Sequence, residues 1–302
     1  MFRALLAAVL LGLWLPGSAA ALSCPPLPEG VRSALAVPAT PVSPLPGVPV
    51  LPIAAGGIAP HHDLAGPLIL RFYEALAAGD PHPRRVILLS PDHFRQGRAS
   101  VSFCGADWET SFGSLRADRE GVDVLARSGL ASRQDDLFPR EHGVTVHLPL
   151  IRRAFPEATV LPLTVRAGAS DLQLLGLRRL LLPLLVEGGL LVLSMDLSHH
   201  KRPPEALRED ERTLPVLLAM QAGRVRGLDL DCPRGAVLFL GLLADRGIRE
   251  GVLLEHAHSG TFTGDETAPC TTYATVLYPR SETGGSSGIL PKPMLTKPQG
   301  AL

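Results

Sequence analysis

Between residues 50 and 280 the apolar positions fall into two alternating patterns, short unbroken runs and longer stretches with helical spacing. The short runs predict strands over 50–59, 85–90, 99–103, 158–165, 190–194, 252–255 and 273–277. Helical spacing covers 68–78, 116–127, 141–155, 204–222 and 234–244, and a Leu-rich helix follows a Ser170 cap with Asp171 in its first turn and runs to Gly188-Gly189. Strand and helix signals alternate, which predicts an α/β fold: a central, mostly parallel sheet with helices on both faces. In such folds ligands gather beyond the carboxyl ends of the strands.

The ends of the chain read differently. Arg3, an apolar run over 4–15 that stops at Pro16-Gly17, and the small residues Ser18 to Ala21 have the plan of a cleaved export leader over 1–21. A membrane-spanning helix needs roughly 20 apolar residues, more than this run supplies. The expected location is therefore periplasmic or extracellular. Cys24, after Leu22-Ser23, leaves a lipid-anchored envelope protein as an alternative. Residues 22–50 are Pro-rich without periodicity and read as an extended lead-in, 51–280 as one domain, and 281–302 as a disordered Gly/Ser/Pro tail. The apolar stretch 172–193 is no membrane span, because Arg178, Arg179, Pro183 and Glu187 interrupt it.

Charge narrows the partners. Lys plus Arg and Asp plus Glu both number 29, so no field of one sign exists to attract nucleic acid or an anionic membrane. Aromatic residues at 5% offer little surface for stacking bases. The expected partner is a small molecule or a metal ion, and oligomeric state stays open.

Candidate chemistry sits at strand ends. The strand closing at Ala59 runs into Pro60-His61-His62-Asp63. The one closing at Ser90 runs into Pro91-Asp92-His93, and the one closing at Ser194 leads to Asp196 and His199. Seven of the ten histidines lie in or beside these segments and Glu141-His142 with His147. Each alone is as readily a surface histidine, or a cap on the next helix; together they outline one shared crevice. Imidazole suits zinc, copper, iron and nickel. Asp196 and His199 are the candidate catalytic pair, with His199 as acid–base group and Asp196 orienting it. His62, Asp92, Glu141, His142 and His147 are expected to border the pocket.

These segments also resemble a known family. Ile58-Ala59-Pro60-His61, Leu88-Leu89-Ser90-Pro91-Asp92-His93-Phe94, Glu141-His142-Gly143-Val144-Thr145-Val146-His147-Leu148-Pro149, Ser194-Met195-Asp196-Leu197-Ser198-His199 and, further on, His256-Ala257-His258-Ser259-Gly260 are similar in order to the signatures of the Memo family. Its prokaryotic members are called AmmeMemoRadiSam system protein B. The resemblance implies one transition-metal ion, iron(II) or copper rather than zinc, held by His61, His93 and Cys232. It implies the fold of class III extradiol dioxygenases, although those enzymes use a carboxylate where Cys232 stands. The family's usual continuation after its first histidine is Ala-Gly and an aromatic residue, whereas here it is His62-Asp63-Leu64. Adjacent side chains of an extended segment diverge, so His61 and His62 do not both reach one ion.

Without the resemblance Cys232 reads as a buried small hydrophobe or a disulfide partner, while Cys104 and Cys270 are candidates to pair in an oxidising compartment. Three functions fit: a metal-dependent redox enzyme, a non-catalytic copper- or iron-binding protein of the cell envelope, and a zinc hydrolase. No Gly-x-Ser-x-Gly follows a predicted strand, since Gly284-Gly285-Ser286-Ser287-Gly288 falls in the Gly/Ser/Pro tail, and no phosphate-binding Gly loop is present.

Overall fold

Strands made of unbroken apolar runs must be covered on both faces, and here they are. The computed structural model describes residues 21–36, 53–79 and 82–280. In chain order the elements are β1 (Leu22–Ser23), α1 (Glu29–Ala36), β2 (Ala54–Ala59), α2 (Gly66–Gly79), β3 (Arg85–Ser90), β4 (Val101–Phe103), β5 (Trp108–Thr110), β6 (Gly113–Leu115), α3 (Arg119–Ser128) and β7 (Ser132–Arg133). There follow α4 (His142–Thr145), α5 (His147–Ala154), β8 (Thr159–Val165), α6 (Asp171–Val186), β9 (Gly189–Ser194), α7 (Pro203–Leu218), α8 (Pro233–Asp245), β10 (Val252–His258), α9 (Ser259–Thr263) and β11 (Thr272–Pro279).

Eight strands form the main sheet in the order β10-β11-β2-β9-β3-β8-β4-β7. The expected α/β architecture is present, with its parallel part confined to the centre: β2, β9, β3 and β8 are parallel, while β10, β11 and β4 run antiparallel to inner neighbours. Side chains alternate across it. Ile87, Leu89, Leu161, Leu163, Leu191 and Leu193 join one core under α3, α6, α7 and α8. Val86, Leu88, Val160, Leu190 and Val192 join the other, under α1, α2 and α5. The stretch 172–193 is indeed a helix and a core strand, and among the described residues no helix is long and apolar enough to cross a membrane.

Several expectations need correction. Residues 22–36 are not an extended lead-in: β1 pairs with β5, and α1 packs on α2 with Val31 fully buried. Leu27 and Val31 are enough to anchor this segment between prolines, but two apolar contacts leave no periodicity to read. The helix expected over 141–155 is two helices, α4 and α5. Pro149 has no N–H for the Thr145 carbonyl, and the Cys24 thiol donates to that carbonyl instead at 3.3 Å. The three-residue strands of the β5–β6 hairpin were too short to signal themselves. Residues 1–20, which hold nearly all of the expected leader, and the expected tail 281–302 lie outside the described residues.

All four cysteines are free thiols, so Cys104 and Cys270 do not pair. They flank β4 and β11, which stand five strand positions apart in the sheet. At about 4.8 Å per strand that is roughly 24 Å, against the roughly 4.4–6.8 Å between Cα atoms that a disulfide spans.

Candidate metal centre

The chain moves outward from β2 to β3 past the place later taken by β9, then returns through β9 and on to the other edge. A crevice opens at the carboxyl ends of strands where such a reversal occurs. Register places three ends level: Ala59 lies opposite Ser194, and Leu193 opposite Leu89. His61, Asp196 and His93 therefore leave the sheet side by side.

Each ring is held by its Nδ1. His61 Nδ1 lies 2.8 Å from Ser194 Oγ, and its backbone N–H donates to Asp196 Oδ1 at 3.1 Å. His93 Nδ1 lies 2.6 Å from Glu141 Oε1, and its backbone N–H donates to Glu141 Oε2 at 2.9 Å. Glu141 is fully buried and also accepts the Gly143 N–H at 3.0 Å. Glycine at 143 leaves this pair room, because a Cβ there would meet Ser90 Oγ at 2.4 Å and Glu141 Oε1 at 3.2 Å. The two rings stand edge to face with centroids 4.7 Å apart.

Both Nε2 atoms face one carboxylate. Asp231 Oδ2 is 3.0 Å from His61 Nε2 and 3.7 Å from His93 Nε2, and Asp196 Oδ2 is 3.6 Å from His61 Nε2. His142 stacks on His93 with centroids 4.0 Å apart. Two groups of donor atoms thus gather within 4.8 Å: His61 with His93 and His142, and His61 with Asp196 and Asp231.

Charge in the crevice is strongly coupled. Burial alone would lower the His93 pKa, but Asp231 and Glu141 outweigh it and hold the ring at about 10. Asp196 and Asp231 likewise raise His61 against its burial. Asp231 is driven well below the usual carboxylate range despite its burial, by His61 and His93. His142 goes the other way, to about 4, through burial and the positive His93 and His61.

The sequence segments carrying this arrangement are shared with known proteins. The Memo-like protein family model matches residues 52–277. The chain belongs to the Memo family. A MEMO1 family protein of Pyrobaculum aerophilum is 30% identical over 243 residues, covering 75% of this chain and 84% of the relative. One of Thermotoga maritima is 27% identical, covering 70% and 78%. Among solved structures, the uncharacterized protein JW3007 of Escherichia coli K12 aligns at 13% identity and a TM-score of 0.48, covering 73% of this chain and 98% of that one.

Not every residue expected in this Memo-family crevice stands where its neighbours in sequence suggest. His62 turns away, and its Nδ1 accepts the Leu64 N–H to cap the next turn. Asp92 accepts the Gln96 and Gly97 N–H groups at 3.1 and 2.9 Å and shapes its own loop. His147 is buried behind the site, 3.0 Å from the Tyr73 hydroxyl, with its pKa down at about 3 through burial and the nearby His61. His199 is half-buried and no hydrogen bond joins it to Asp196, whose pKa burial raises; Asp196 accepts the His61 N–H instead. Cys232 is buried in the wall, and burial with the Asp231 charge pushes its thiol pKa well up. Its sulfur belongs to neither group of converging donors. The residue that sequence reasoning passed over is Asp231, next to Cys232. The available signal was Asp229-Leu230-Asp231, two acids in a loop entering a helix, a pattern that also fits a helix cap.

Proposed function

We propose that this Memo-family protein holds one transition-metal ion between His61 and His93 and uses it in redox chemistry on a small molecule. The observation that carries the reading is the convergence of two Nε2 atoms, each from a ring whose Nδ1 is already engaged, on a carboxylate oxygen. A fit to a cation is further supported by Asp231 Oδ1, which is buried without a hydrogen-bond partner. Buried carboxylate oxygens are ordinarily satisfied, and an ion is one explanation of an orphan. The wall also holds Asp196 and the buried Cys232 thiol.

The donors suit iron(II) or copper, with zinc less suited to a redox role. Such an ion, when bound, would polarise and activate a small molecule at an open coordination position. The chain's own residues do the rest. Ser194 and Glu141 fix the tautomers and aim both Nε2 atoms, as outer-shell partners do at metal sites. His142 stands half-exposed beside the site, stacked on His93, where its imidazole can hydrogen-bond a bound molecule. His199 is the acid–base group.

Elemental analysis of the purified full chain tests the proposal. One equivalent of iron or copper is expected. His61→Ala and His93→Ala should each lose more than the roughly 10–100-fold in affinity that outer-shell changes cost. His199→Ala should keep the ion, and loss of oxygen consumption or substrate turnover in that variant separates an enzyme from a carrier. Zinc alone, or no metal, sinks the redox reading.

A further inference from the structure

Resting on that metal reading, we propose that Asp231, and not the sulfur of Cys232, is the anionic ligand of the ion, giving an imidazole–imidazole–carboxylate set. Three observations point to it. First, Asp231 Oδ2 is the oxygen that faces both ring nitrogens, at 3.0 and 3.7 Å. Second, its other oxygen is buried and has no partner, so the carboxylate has capacity left after its contacts with the rings and the Asp196 N–H. Third, the Cys232 sulfur is absent from the groups of donor atoms that converge on the crevice. Cys232 is the buried N-cap of α8, packed against the bare Cα of Gly235, where a Cβ would sit 2.4 Å from the sulfur.

Successive side chains of this loop diverge. Asp229 reaches outward to Lys201 at 2.9 Å, Asp231 enters the crevice, and Cys232 begins the helix core. Neighbouring Asp196 is less free to serve, because Oδ1 is engaged by the His61 N–H. Two imidazoles and one carboxylate with open positions form the set that non-haem iron(II) favours, whereas a thiolate would favour softer ions such as copper(I). The choice between the two neighbours therefore decides which metal the protein prefers.

Cobalt(II) titration of the metal-stripped full chain distinguishes them, because a cobalt–thiolate bond gives an intense near-ultraviolet charge-transfer band and nitrogen and oxygen donors do not. The wild-type protein should bind one equivalent without that band. Asp231→Asn should weaken binding by more than about 100-fold and Cys232→Ser by less than about threefold, set against the roughly 10–100-fold range of outer-shell effects. A charge-transfer band that Cys232→Ser removes overturns the assignment and leaves the metal reading intact. Unchanged affinity in a folded Asp231→Asn variant overturns it too. Should that variant not fold, the wild-type spectrum still decides. Failure of the wild type to bind cobalt or iron overturns both readings.

Discussion

Two histidine–carboxylate pairs of this molecule, His256–Asp210 and His61–Asp231, differ in what they leave unused. At the edge of the sheet, Asp210 of α7 meets His256 of β10 at 2.7 Å. Its other oxygen accepts hydroxyl hydrogen bonds from Ser198 and Thr272 at 3.1 and 3.0 Å. Both oxygens are engaged, and the cluster is closed. In the crevice, Asp231 meets His61 at 3.0 Å, but one of its oxygens has no partner, and a second imidazole nitrogen points at the same place. A buried acid–imidazole pair is thus not in itself a site. Spare donor capacity aimed at a common point is what marks one.

The largest effect that bears on this contrast is expected from Asp210→Ala. It strips the partners from His256, Ser198 and Thr272, and breaking a buried pair by removing one member costs about 3–5 kcal/mol. Thermal or urea unfolding should show that loss while the metal stoichiometry stays at one. If Asp210→Ala empties the crevice instead, the two clusters are one unit and the contrast fails. Next in size is ligand linkage. Iron(II), added anaerobically at about 100 times its dissociation constant, should stabilise the wild type by about 2.7 kcal/mol. The same addition should leave the melting temperature of His61→Ala unmoved.

The last effect is spread over pH and concerns His147. Its folded pKa, about 3, lies below the ordinary histidine value of 6.5. Below pH 6.5 the unfolded chain binds a proton that the folded one refuses, so stability falls as pH drops from 6.5 towards 3. Urea midpoints of His147→Gln should decline less steeply over that window than those of the wild type. An identical slope would mean that His147 is not held neutral.

The framework of the crevice was legible in the sequence because strands announce their ends. Apolar runs stopping at Ala59, Ser90 and Ser194 placed His61, His93 and Asp196 at the same edge before any coordinates. Family likeness added Cys232, whereas the carboxylate that faces both rings belongs to Asp231, a shift of one residue. That shift was not readable, because which of two adjacent side chains enters a pocket depends on the turn before α8 and not on residue type. Glu141 was expected at the border and proved to be the holder of His93, with bare Gly143 leaving it room. The N-terminal helix α1 escaped notice because Val31 is its one fully buried side chain, with Ala34 and Leu35 only partly covered and a hydrogen bond from Gly30 N–H to Asp63 that no apolar pattern signals.

The level register of β2, β9 and β3 has a consequence for how such a site can change. His61 and His93 depart from strands separated by a single intervening strand, hence by roughly 10 Å of hydrogen-bonded sheet. Their bite is thereby as stiff as the sheet itself, and drift in the connecting loops cannot widen it. The proposed third donor, Asp231, sits on a loop outside the sheet that is tied to it through hydrogen bonds with Asp196. Descendants of this scaffold could therefore trade one kind of ion for another by re-tailoring that loop alone, with the two imidazoles left untouched.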